Sequence, residues 1–365
     1  MAALEIPQSS DSLSAEWLTA ALHSGGAGNA RIASFEYEPI AAGVGFLGKL
    51  GRLRLQYADA GDGLPRTLIC KLPTLDEKSR QLAMMFRFYE REVSFYHEIG
   101  SRAGIRVPVL HHGAADPSNG DFVMLMEDLA PARVGDQLEG CTAQQARLAV
   151  ASIAKCHAAW WQDPRLASLG WLPATNDPIH HFAQPAYQQC WAPFVQFVGD
   201  KLTPALKRTG EDLGSNVIRM LDGIAGRPQT LVHGDFRADN LFFGGPDDGQ
   251  ALAAIDWQVS SRGGGAFDLA YFLSGNVSPQ TRRAIEMDVL QLYVQTLKEH
   301  GVQNYTFEEC LEDYRFATLY CLVYAVIIIG TLDPTNARGL ANFHANFERV
   351  AAAITDLEAA ATMPR

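Results

Sequence analysis

The sequence predicts an α+β chain in two lobes: a small antiparallel-sheet lobe over residues 1–128, then a larger, mainly helical lobe over residues 129–365. Three observations predict it. Short segments of alternating apolar and polar residues crowd the first 130 positions. Helical periodicity dominates after Thr142. A chain of 365 residues, 47% of them apolar, can fill two cores of this kind.

Taken in order, the strand signals are Ile32-Phe35-Tyr37, Leu53-Leu55-Tyr57 alternating with Arg52, Arg54 and Gln56, Leu68-Ile69-Cys70, and Phe122 to Met126. The turn residues Asp59 to Gly63 join the second and third as a hairpin. Between the third and the last, Met85, Phe88, Phe95, Tyr96 and Ile99 fall at helical spacing and predict one helix over Leu82–Ile99. Thr142-x-x-Gln145 reads as a capping box that opens a helix ending near His157-Ala-Ala-Trp160-Trp161. Inside the helical half, Thr230–Val232, Leu241–Phe243 and Ala251–Ile255 read as three short strands, the last two separated by the Gly244 to Gly249 turn. From Asp268 onward the pattern is helical again, with no internal repeat.

Composition excludes several functions. With 30 Lys+Arg against 41 Asp+Glu, the net charge of −11 argues against a nucleic-acid partner, which needs clustered cations. Six cysteines without C-x-x-C spacing argue against a zinc site or a disulfide framework and fit a reducing cytoplasm. The opening MAALEIPQSSDS carries no secretory signal pattern. The most apolar run, Phe316 to Gly330, is shorter than the ~20 residues a membrane span needs. It reads as a buried helix, or as a helix with one face on an apolar ligand pocket. No membrane association and no obligate protein partner are expected.

Residues Gly43-Val-Gly45-Phe-Leu-Gly48 spell G-x-G-x-x-G. A dinucleotide fingerprint requires a helix to follow, and here a strand follows instead. Strand, glycines, strand is either an ordinary hairpin turn or a hairpin that covers a nucleotide's phosphates with bare backbone N–H groups. Lys71 closes the apolar run Leu68-Ile69-Cys70, and a buried ammonium needs a counter-ion or a phosphate. Glu92 shares a helical face with Phe88, Phe95, Tyr96 and Ile99, so its carboxylate points where the helix is otherwise apolar. Each residue supplies the other's missing partner, the pairing that fixes a nucleotide's α/β-phosphates in kinases.

The most specific segment is His233-Gly-Asp235-Phe-Arg237-Ala-Asp239-Asn240, followed by Ile255-Asp256-Trp257. Phosphoryl transfer needs a carboxylate to orient the attacking hydroxyl and take its proton, and oxygen ligands for Mg²⁺. Asp235 suits the first task, and Asn240 and Asp256 suit the second. Arg237 is placed to neutralise charge on the transferred group. His233 is expected to brace the loop. His111-His112 and His180-His181 lack a third metal ligand at useful spacing, and no G-x-S-x-G elbow occurs. Trp160, Trp161, Trp171, Trp191, Phe182, Phe194 and Phe197 are equally an aromatic acceptor wall or lobe core.

These motifs, HGDFRADN with IDW, the ICK lysine, the REVSFY helix and FDLAYFL, resemble the aminoglycoside/choline kinase superfamily, which has a protein-kinase-like fold. The wording is most similar to its ecdysteroid-kinase-like branch, over roughly Pro39 to Leu273. The resemblance implies an ATP- and Mg²⁺-dependent phosphotransferase, with adenine received by main chain near Glu127 to Leu129 and Asp268 bracing the catalytic loop. Only eleven residues separate Asp256 from Asp268, and no Ala-Pro-Glu follows, which disfavours a protein substrate. The branch favours a small hydrophobic alcohol, steroid or terpenoid-like, as acceptor. An aminoglycoside or amino alcohol would suit the −11 charge, and a nucleotide-binding pseudoenzyme is the reading from another class.

Overall fold

The computed structural model describes residues 4–28, 30–40, 48–59, 63–244, 251–330, 332 and 335–364. Gly43 and Gly45 lie outside these residues, as do 60–62 of the first predicted turn and 245–249 of the second. The chain divides into two compact units. The first comprises Met1–Arg102, Val107–Pro131 and Asp256–Val259; the second comprises Ala103–Arg106, Ala132–Ile255 and Ser260–Arg365.

The first unit is built on α1 (Ala15–Ser24), β1 (Ile32–Ile40), β2 (Gly48–Tyr57), β3 (Thr67–Pro73), α2 (Glu77–Met85), α3 (Phe88–Glu98), β4 (Leu110–Asp116) and β5 (Asp121–Glu127). Its five strands form one antiparallel sheet in the order β1-β2-β3-β5-β4. The central strands β3 and β5 are buried on both faces, because a helix covers each. On one face Leu18, Ala21 and Leu22 of α1 share a core with Leu68, Cys70, Leu72, Val123 and Leu125. On the other, Tyr89 of α3 stacks on Phe122 with ring centroids 4.6 Å apart. Period-2 alternation therefore sends Lys71 to the α3 side, in register with Leu50 and Met124. A Cβ on Gly51 of β2 would stand 2.2 Å from the Tyr37 ring, so only glycine fits beneath that side chain.

The structure corrects one predicted helix. Leu82–Ile99 is not continuous: α2 ends at Met85 with Phe86 as its cap, and Arg87 turns into the left-handed region at φ 55° before α3 begins. The buried Arg91 reaches back from α3 to hold the Phe86 carbonyl at 2.8 Å, satisfying an end that a continuous helix would not expose. Met85, one of the residues at helical spacing, is 67% exposed. The helix α1 and strand β4 went unread, α1 because it lies in a mixed N-terminal stretch and β4 because Leu110–Asp116 carries almost no apolar alternation.

The second unit contains β6 (Arg133–Val134), α4 (Ala143–Ala159), α5 (Arg165–Ser168), α6 (Ala183–Val198), α7 (Pro204–Leu213), α8 (Val217–Ala225), β7 (Gln229–Val232), β8 (Leu241–Phe243), β9 (Leu252–Ala254), β10 (Ser261–Gly264), α9 (Ala266–Asn276), α10 (Pro279–Glu299), α11 (Phe307–Ile327) and α12 (Ala337–Asp356). Two small antiparallel sheets, β10-β7 and β6-β8-β9, frame the loop that follows β7. The Thr142/Gln145 capping box is present with both reciprocal hydrogen bonds and starts α4. The predicted apolar run is the C-terminal part of α11, which ends in a 3-10 turn at Ile328–Gly330. Among the described residues Phe307–Gly330 is the one stretch long and apolar enough to cross a bilayer by length and composition. It is a core helix: 67% of its most apolar window is buried, against α9, α12, α6 and α8. Strand β10 escaped notice because it reads Ser-Arg-Gly-Gly; a Cβ at Gly263 would lie 2.0 Å from Thr175 Oγ1.

Candidate active site

In the first unit, Lys71 and Glu92 meet as their patterns require. Lys71 Nζ lies 2.6 Å and 2.8 Å from the two Glu92 carboxylate oxygens. A third group, Asp256, places Oδ1 at 3.1 Å from the same nitrogen. Burial alone would pull the Lys71 pKa down, but Asp256 and Glu92 together outweigh it and push it up, so the lysine stays charged. Burial pushes the Glu92 carboxyl above the usual carboxylate range while Lys71 pulls it back. One ammonium thus serves two carboxylates of unequal exposure: Glu92 is sealed at 1%, and Asp256 remains open at 24%.

Asp256 is held there by backbone and by its neighbour. It adopts φ 64°, uncommon for a residue with a Cβ. The next residue, Trp257, is fully buried and stacks on Phe95 of α3. The predicted nucleotide-side main chain also belongs to this unit. The Glu127 N–H donates to the Val109 carbonyl at 2.8 Å, and its side chain accepts from the Val109 N–H at 3.1 Å. Arg52 forms a buried-edge ion pair with Asp128 at 2.7 Å, and Leu129 follows, its side chain buried. Gly48 opens β2, and a Cβ there would meet the Leu72 carbonyl at 3.2 Å and the Lys71 stem at 3.4 Å.

In the second unit, the loop after β7 is tied down by backbone hydrogen bonds. The fully buried Asp268 accepts from the N–H of His233 at 2.7 Å and of Gly234 at 2.9 Å. Its Oδ2 also faces His157 Nε2 at 3.2 Å, and Tyr293 OH lies 2.9 Å from His157 Nδ1. His233 Nδ1 accepts the Asp235 N–H at 3.2 Å, so the proton sits on Nε2, which donates to the Ile255 carbonyl at 2.9 Å. Both ring nitrogens are spent on holding backbone. His233 is a brace.

Asp235 carries three donors. Arg237 Nε reaches Oδ2 at 3.1 Å, Asn240 Nδ2 reaches the same oxygen at 2.9 Å, and Tyr271 OH reaches Oδ1 at 2.9 Å. Asn240 Nδ2 also donates to the Asp235 carbonyl at 2.9 Å. Both amide hydrogens of Asn240 are therefore used inward, which leaves Oδ1 as a free oxygen donor of the kind a Mg²⁺ ion takes. Arg237 spends Nη1 on Asp239 at 2.7 Å and Gln137 at 3.1 Å. Its guanidinium is bound to Asp235 rather than aimed away from it, with Asp235 the strongest influence raising its pKa.

A cavity of about 360 Å³ opens beside Asp235 within this unit. Gln137, Asn342 and Asn346 give it amide groups; Tyr324, Ala325, Ile328 and Phe343 give it apolar wall. Among its described lining residues Asp235 is the only carboxylate and Arg237 the only cation. One face of α11 therefore does line the pocket, the alternative left open by the sequence. The tryptophans and α6 phenylalanines do not line it. Trp191 stacks between Tyr187 and Phe194, Trp160 and Trp171 are buried elsewhere, and Phe182 and Phe197 are partly exposed. Sequence reasoning missed Tyr271 and Gln137. Tyr271 stood inside the quoted FDLAYF segment, but no local pattern marks a tyrosine as a partner of a residue 36 positions away.

The family model of the ecdysteroid kinase-like family matches residues 42–303, which contain every residue just described except the C-terminal wall of the cavity. The chain belongs to the ecdysteroid kinase-like family. Among curated proteins, mouse acyl-CoA dehydrogenase family member 10 is 28% identical over 170 residues, covering 42% of this chain and 15% of that protein. The matched segments span between 10% and 24% of the curated relatives' lengths. Among solved structures, a Ralstonia eutropha protein assigned to the aminoglycoside phosphotransferases superposes with a TM-score of 0.54 at 18% identity, over 95% of this chain and 99% of that one. Amicoumacin kinase, solved with AMP-PNP and Ca²⁺, gives 0.51 at 11% identity, over 87% and 88%. The ecdysteroid kinase-like chain thus has the kinase-like fold that its motifs imply.

Proposed function

We propose that this protein is an ATP- and Mg²⁺-dependent kinase that phosphorylates a hydroxyl of an uncharged, largely apolar small molecule of steroid or terpenoid character. The observation that carries the acceptor class is the cavity beside Asp235, apolar on one wall and amide-lined on another, where the one carboxylate among the described lining residues is already paired to Arg237. A polycationic aminoglycoside or an amino alcohol would find no unpaired carboxylate among those described residues.

In this reading Asp235 accepts the proton of the acceptor hydroxyl, and Arg237 and Asn240 hold the carboxylate in place. Lys71, fixed by Glu92, binds the α- and β-phosphates, and the Gly43 to Gly48 backbone covers the triphosphate. Main chain near Glu127 to Leu129 receives the adenine. Asn240 Oδ1 and the open Asp256 carboxylate are each an oxygen donor of the kind Mg²⁺ takes, and the ion would supply charge neutralisation between the phosphates. The nucleotide and divalent cation of the amicoumacin kinase structure support that choice of cofactors for this fold.

The test is transfer from γ-labelled ATP with Mg²⁺ to a panel of steroid and terpenoid alcohols, amino alcohols and aminoglycosides, with Asp235→Ala alongside. Labelling of the apolar alcohols by the wild type alone is the expected result. Labelling confined to amines would replace the acceptor class, and ATP binding without any transfer would favour a pseudoenzyme.

A further inference from the structure

The four lone-pair positions of the Asp235 carboxylate are not equally available. Oδ2 already accepts two hydrogen bonds, from Arg237 Nε and Asn240 Nδ2, which fills it. Oδ1 accepts one, from the Tyr271 hydroxyl. A single acceptor position therefore remains, on Oδ1, beside the phenol. Tyr271 and Asp235 both line the cavity. The tyrosine itself is held by stacking on Phe267, with centroids 6.1 Å apart and planes at 19°, and by the edge contact with Tyr324 at 5.4 Å.

We propose that Tyr271 is a positioning residue that selects Oδ1 as the base atom and directs the incoming hydroxyl to its remaining lone pair. The inference rests on the kinase reading above and deepens it. In the step it serves, the acceptor O–H proton passes to Oδ1, and the acceptor oxygen forms a bond to the γ-phosphorus. The bond from that phosphorus to the β–γ bridging oxygen breaks, and ADP leaves with the electron pair. With the phenol in place the carboxylate cannot rotate without giving up a hydrogen bond to its charged form, worth more than one between neutral groups. Without it, Oδ1 loses the one hydrogen bond it accepts among the described residues, and a misplacement of about 1 Å at a reacting centre costs on the order of 10²-fold in rate.

The test is Tyr271→Phe, which keeps the ring and its stacking, compared with the wild type on the same acceptor panel. The expected result is a fall in kcat of about 10²-fold with KM for ATP and the thermal midpoint unchanged. More than one ADP should form per phosphoester, because water competes once the alcohol is less well aimed. Fluorotyrosine at position 271, which keeps the donor, should restore coupling. An unchanged kcat in Tyr271→Phe would overturn the proposal, as would a parallel loss of ATP affinity and stability, which would mark the residue as structural. Label appearing on Tyr271 itself would make it an acceptor and overturn it too. A wild type that transfers phosphate to nothing sinks the kinase reading instead, and is distinguishable from all of these.

Discussion

Trp257 lies flat on Phe95, with ring centroids 4.1 Å apart and planes within 6°, so the residue after Asp256 is clamped to the helix that carries Glu92. That stack is how the short Asp256–Val259 segment becomes part of the first unit although it lies far along the chain. It fixes the reach of Asp256 to Lys71.

Trp257→Ala should therefore act twice. Removing a fully buried indole costs about 3–5 kcal/mol, which a denaturant titration would read as a lower midpoint. KM for ATP should rise as well, because Asp256 loses its anchor. An unchanged KM in the folded fraction would separate the stack from the site.

Lys71→Met leaves two carboxylates facing each other without a cation, a change of about 3–5 kcal/mol when a buried pair is broken. Combining it with Glu92→Leu should recover much of that stability and none of the activity. Thermal melts and turnover of the single and double variants check this. Recovery of turnover would refute the phosphate-binding role.

Asp235→Asn keeps the shape of the side chain and removes the charge that accepts from Arg237, Asn240 and Tyr271. Turnover should fall by about 10²–10⁴-fold, the range for loss of a general base. ATP affinity, measured by calorimetry, should stay within a few-fold, about 1 kcal/mol or less.

The Asp128 carboxyl sits below the usual carboxylate range. Burial would raise it, but hydrogen bonds from Arg52 and the Ala130 N–H outweigh that effect. A depressed carboxyl contributes stability that is present above its ordinary pKa of about 3.9 and is lost as pH falls through the lower native value. Arg52→Met should weaken that contribution. Urea midpoints taken from pH 6 downward should fall less steeply with acid in the variant than in the wild type.

How much of this was legible in the sequence follows the range of each interaction. Lys71 and Glu92 were readable because each was a charge in an otherwise apolar pattern. The loop from His233 to Asn240 was readable because its chemistry is packed into eight residues. Asp256 joining the Lys71 pair was not, since nothing local says which strand end faces which lysine. The break at Arg87 was hidden because no glycine or proline marks it in residues 77–98. Arg237 was read as facing a phosphoryl group, whereas its guanidinium is bound to Asp235, Asp239 and Gln137, the last of these 100 positions away. The cavity wall was obscured because α11 carries no charged residue from Phe316 onward, so periodicity cannot tell a core face from a pocket face there.

The same uniform apolarity sets a condition on synthesis. Phe307–Gly330 has the length and composition that translocation machinery and lipid accept as a span, and one of its covers, α12, follows it in the chain. A nascent chain paused between the two has α6, α8 and α9 to cover that helix but leaves its α12-facing side bare. Truncation before Ala337 should therefore move the product from the soluble fraction to the pellet, because it bares that apolar side and removes a wall of the cavity together.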